Sequence, residues 1–151
     1  MSILGAHQVI KDQLLKLGIF DHVAQHEPSA PPGKGLYAAM WFDEIRPSQE
    51  TSVLSGADML YVLTVRMYKS AASQPQDSID LDLLAALDAV LDLLISNHRL
   101  DGEAFGVDVL PRASEGLRAV TDYVDFGRNQ FFRVIDLSIP VVVDGVYSYA
   151  H

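Results

Sequence analysis

The sequence predicts an α+β fold: a mainly antiparallel sheet of about four to five strands packed with two helices, in the order α-β-β-α-β-β. Three observations predict it. Two runs alternate with the period of a strand, at 36–45 and 59–69. Two runs repeat with the period of a helix, at 3–17 and 79–96. The last third of the chain reads as a long hairpin around Gly127-Arg128-Asn129.

In the first helix, Val9, Ile10, Leu14 and Leu17 fall on one face, with Lys11, Asp12, Gln13 and Lys16 between them. Gly18 stands where a left-handed C-cap ends it, and Ile19-Phe20 turn back toward the core. His22 to Glu27 is a short extended piece. Residues 28–35 hold three prolines and two glycines, which makes them a loop. In the next strand Leu36, Ala38, Met40 and Phe42 oppose Tyr37, Ala39 and Trp41. Arg46-Pro47 ends it, and 48–57 reads as a polar loop. The strand at 59–69 sets Met59, Tyr61, Leu63, Val65 and Met67 against Leu60, Val62, Thr64, Arg66 and Tyr68. Apolar residues on both faces predict a sheet covered on both sides, by helices and by a neighbouring subunit.

Asp77 or Ser78 caps the second helix, whose stripe is Ile79, Leu83, Leu84, Leu87, Val90, Leu91 and Leu94. Of its acids, Asp77, Asp80, Asp88 and Asp92 read as a solvated face, and Asp80 and Asp82 lie in the first turn, where the helix dipole favours them. A short strand at 105–110 precedes Pro111. In the final run Phe131, Arg133, Ile135, Leu137 and Ile139 point one way, and Phe132, Val134, Asp136 and Ser138 the other.

The 151 residues form one domain, 1–151, long enough to bury a core without staples. With no cysteine, disulfides, thiolate catalysis and cysteine-based zinc sites are excluded. The N-terminus carries no signal-peptide pattern, and no run reaches the ~18 apolar residues that span a membrane. A soluble protein made in the cytosol is expected. The net charge is −9, and residues 76–151 hold 13 Asp/Glu against 5 Lys/Arg. Gripping nucleic acid takes clustered Lys and Arg, and there is no such cluster.

Chemistry is sparse. Gly33-Lys34-Gly35 lacks the hydroxyl and the following helix of a phosphate loop. His22 and His26, on an extended segment, would lie about 13 Å apart, too far for one ion. Ser114 and Ser138 have no histidine near in sequence. No residue is assigned a catalytic, cofactor-binding or metal-binding role, and no enzyme is expected. The Met and aromatic stripes at Met40, Trp41, Met59, Tyr61 and Met67 read as core and subunit interface.

The runs 18–28 (GIFDHVAQHEP), 32–47 (PGKGLYAAMWFDEIRP), 62–68 (VLTVRMY), 77–80 (DSID) and 131–143 (FFRVIDLSIPVVV) occur in an order that resembles the tail terminator proteins of long-tailed actinobacterial phages and prophages. The resemblance covers nearly the whole chain. It implies a small α/β virion protein forming a ring, usually of six copies, on the head-proximal end of the tail tube. Such a ring ends tube polymerisation, meets the head connector protein, and lets DNA pass through its hole without specific binding. It implies no cofactor and no membrane, with synthesis in the host cytoplasm. Pro31, Pro32, Lys34, Trp41, Arg46 and Gln49 are then the expected assembly contacts with the tail tube protein, the connector or the next copy. Asp43, Glu44 and Glu50 are the expected channel-facing acids. Three alternatives stand beside this: another head–tail joining or tail-completion protein of similar fold, a monomeric adaptor that binds through the Pro-rich loop, and a small enzyme with no recognisable motif.

Overall fold

A computed structural model describes residues 3–33, 35–53, 56–96, 105–107 and 116–148. Helix α1 spans Ile3–Lys16, β1 His22–Ala24, β2 Tyr37–Val53, β3 Gly56–Ser70, α2 Ser78–Ser96, β4 Phe105–Val107, β5 Arg118–Asp125 and β6 Phe131–Ser148. The fold is α+β, with two helices on a mixed, strongly curled sheet.

Two expectations are corrected here. The sheet is mixed rather than mainly antiparallel, because β1 joins β2 in parallel, His22 to Tyr37. The order is α-β-β-β-α-β-β-β, because the pieces after α1 and after α2 both join the sheet. The remaining pairings, β2–β3, β3–β6, β6–β4 and β6–β5, are antiparallel. A third correction concerns the end of β2. Arg46-Pro47 does not stop it, and most of the expected polar loop at 48–57 is strand, as β2 runs on to Val53 and β3 begins at Gly56. β1 covers only Tyr37–Ala39, so Pro47 lies on an edge strand, where a missing N–H removes no ladder bond.

The helix ends follow local chemistry. Gly18 adopts φ 66°, and its N–H donates to the Leu15 carbonyl at 3.1 Å, closing α1 with a left-handed residue. At the far hairpin Gly127, Arg128 and Asn129 all have positive φ, with Gly127 at 86°. The loop is tied by Phe126 N–H to Gln130 O at 2.9 Å.

The main core lies between the helices and one sheet face. Ala6, Ile10 and Leu14 of α1 and Leu83, Val90 and Leu94 of α2 pack on Met40, Leu63, Val65, Met67, Leu137 and Ile139. Leu84, placed in the α2 stripe by periodicity, is instead exposed, and Ala86 takes the buried position. On the opposite face a smaller aromatic cluster forms from Tyr68, Phe132 and Val134 with Tyr37, Trp41 and Phe126. Phe126 and Phe132 meet edge to face at 5.4 Å. The chain thus closes one end of this face itself; beyond it, among the described residues, lies a polar recess around Arg66 and Asp136, and further along Leu60 is again fully buried.

Candidate assembly surface

An exposed recess lies where α1 meets the outer edge of β2. A β-bulge makes it. The β2–β3 register shifts between Phe42 and Glu44, so that Phe42 opposes Leu63 and Ile45 opposes Tyr61. Strict alternation puts positions 42 and 45 on opposite faces. The extra residue, Asp43, brings both to the helix side. Neither is covered there: Phe42 is 65% exposed, and Ile45 and Leu4 of α1 are also exposed. Together with His7 and Tyr61 they line a groove of about 610 Å³.

The floor of the groove is a hydrogen bond. His7 Nδ1 and the Tyr61 hydroxyl lie 2.5 Å apart. Burial holds the His7 imidazole below its ordinary value of 6.5, and Lys11 adds repulsion. Burial also pushes Tyr61 up to about 12, with Asp43 contributing. At neutral pH the tyrosine is therefore protonated and the imidazole neutral, so the O–H donates to Nδ1.

The open sheet face carries a second, polar recess of about 400 Å³ lined by Trp41, Asp43, Thr64, Arg66 and Asp136 among others. Arg66 organises it. Its Nε and Nη2 donate to the two Asp136 carboxylate oxygens at 2.6 and 2.9 Å, a bidentate pair across β3 and β6. Glu27 lies at 3.4 Å, and the guanidinium sits 5.2 Å above the Trp41 ring. The Asp136 hydrogen bonds hold Arg66 still more firmly protonated than a free arginine. The Thr64 hydroxyl donates to Asp43.

The sequence-expected residues do not form one surface. Pro31 is exposed, and Pro32 lines a small recess with Ser70, Asn129 and Phe131, at the turn end of the sheet. Arg46 lies about 30 Å further along β2 by strand rise, paired with Glu44 at 2.8 Å. Trp41 is half-buried beneath Arg66. Of the acids, Asp43 is engaged by Thr64 and Glu44 by Arg46. Lys34 lies outside the described residues. Gln49 and Glu50 fall on β2, with side chains outside the described set.

Sequence reasoning missed the groove and the Arg66–Asp136 pair. The pair had a readable signal: a cation, Arg66, and an anion, Asp136, each set between apolar neighbours in a strand. The groove had none, because a bulge is not encoded by alternation.

Among the described residues no group of three or more His, Asp or Glu is arranged to hold a metal ion, and no helix is long and apolar enough to cross a membrane. Compared with known proteins, the sequence matches no family model and no curated protein.

Proposed function

We propose that this chain is a structural virion protein. Copies form a ring, six in the expected form, that caps the head-proximal end of a phage tail tube, ends its polymerisation and joins it to the head connector. The observation that carries this reading is the β2–β3 hairpin arm. Beyond Pro47 the arm runs to its tip at Val53 and Gly56, about 10 Å of further reach by the strand rise of β3 from Met59 to Gly56, with β6 paired alongside as far as Ser148. An arm of this kind offers backbone and side chains to a neighbour. The apolar groove at its base supplies a surface that a solitary chain leaves wet. Pro31 and Pro32 lie at the opposite end of the sheet, so tube and connector can each be met at a different end. The acidic balance of the chain suits a hole through which DNA must slide.

Electron imaging of assembled tails tests the reading. One ring of density at the head-proximal end is expected, together with tubes of uncontrolled length when the chain is absent. Copies spread along the whole tube would sink it. Tubes of normal length that fail to join heads would favour the head–tail joining alternative.

A further inference from the structure

The sheet has two long edges that no described strand covers. One is β5, whose eight residues pair with β6 in continuous register, without a bulge, a proline or a lysine to blunt the outer side. Both faces of β5 are exposed, and Tyr123 is 62% exposed. The other edge is β2 beyond Ala39, where the groove beside Phe42 and Ile45 opens.

The strand directions make these edges complementary. β2, β3, β6 and β5 alternate in direction, each antiparallel to the one before. β5 therefore runs antiparallel to β2. A second copy in the same orientation brings its β2 alongside β5 with the alternation unbroken. The faces agree as well. Tyr123 opposes Arg133 and Ile45 opposes Tyr61, both on the helix side. Asp122 opposes Val134 and Arg46 opposes Leu60, both on the open side. One antiparallel register places Tyr123 against Ile45 and, one step along, Asp122 against Arg46; Thr121 then faces Pro47, which has no N–H, so the new ladder lacks one bond at that step.

We infer that β5 of one copy adds as an antiparallel strand to the β2 edge of the next, with Tyr123 seated in the groove beside Phe42 and Ile45. This rests on the ring reading for its second copy and names the joint of that ring. Tyr123 is already fixed for the task. The Arg133 guanidinium stacks 4.7 Å from its ring, and Asp80, in the first turn of α2, holds that arginine at 3.1 Å. In the isolated chain the Asp122 carboxylate accepts the Tyr123 backbone N–H at 2.7 Å, which shields an edge donor. Arg46 of the incoming copy draws that carboxylate away and frees the donor for the new ladder. The contact is heterologous, so it closes into a ring when the rotation per copy divides a full turn and otherwise gives filaments.

The chain has no cysteine, so introduced thiols report cleanly. The same register sets Glu44 opposite Val124, and neither substitution touches Tyr123. Mixing Glu44→Cys with Val124→Cys under oxidation should give dimers, and the double variant a ladder up to the ring. Asp122→Arg should lower the yield several-fold, and adding Arg46→Asp should restore it. Self-cross-linking of Val124→Cys alone would mean a two-fold β5–β5 contact and overturns the inference. Native rings without the cross-link overturn the joint but leave the ring. Monomers without it also overturn the joint, and imaging of tails then judges the ring separately.

Discussion

Two side-chain pairs set most of what a single substitution can reveal. Arg66 and Asp136 are largely buried, at 17% and 23% exposed, and each satisfies the other. Removing one charge strands its partner in a site too dry to solvate it, whereas removing both leaves an apolar contact. Asp136→Asn should therefore cost about 2 kcal/mol in urea unfolding. Arg66→Met with Asp136→Leu should recover most of that loss. A double variant no better than the single one would show that the cluster needs its charges. His7 makes the complementary pH prediction. Its folded-state pKa lies below 6.5, so the unfolded chain takes up the proton first as pH falls. The contribution of neutral His7 is complete above 6.5, declines as pH drops from there to the lowered value, and changes no further below it. His7→Gln should flatten this part of the melting-temperature profile. Parallel profiles for the two proteins would show that the imidazole does not report on folding.

Elements that depend on neighbours in sequence are the ones a reader of the sequence finds. α1 with its Gly18 stop, α2, and the β5–β6 hairpin all follow from spacing and turn chemistry within a few residues. The turn makes a direct prediction. Gly127 has φ 86° and no atom within 4 Å of where a Cβ would stand, so a side chain there meets backbone strain and not a clash. Gly127→Val should cost about 1–2 kcal/mol, and Gly127→Asn less, since asparagine tolerates that region better. An unchanged melting temperature for the valine variant would refute the strain argument. What was not legible is set by pairing across the chain. β1 is too short for periodicity to claim and gains its strand from β2. Pro47 reads as a terminator, and only the free edge explains why β2 passes through it. The bulge at Asp43 redirects Ile45 beside Phe42, so the groove belongs to the register of β2 on β3 and not to either segment. The arm beyond Pro47 makes the element-scale test of function. Replacing residues 48–57 by an Asn-Gly turn should leave a cooperatively folded chain that no longer caps tubes. Capping at normal efficiency would move the docking role elsewhere.

For the whole molecule, charge decides how it can live beside DNA. The chain carries 11 Lys and Arg against 20 Asp and Glu. Several of the cations are engaged within the fold: Arg46 with Glu44, Arg66 with Asp136, Lys69 with Asp82, and Arg133 with Asp80. A phosphate competing for one of these would have to displace a carboxylate at close range. Stable binding to a duplex draws its free energy from counterions released as Lys and Arg neutralise phosphates, so a chain with its cations spread out and in part partnered gains little. In the proposed ring the net negative charge around the hole would be multiplied, and repulsion within a Debye length, about 8 Å at physiological salt, would keep DNA off the wall. The purified protein should therefore give no gel shift with duplex DNA at moderate salt, as a monomer or as a cross-linked ring. Arg66→Ala should not change that result, because its guanidinium is committed to Asp136. A shift that weakens steeply as salt rises would mean that assembly gathers cations into a basic surface. DNA would then be held in the hole rather than passed through it.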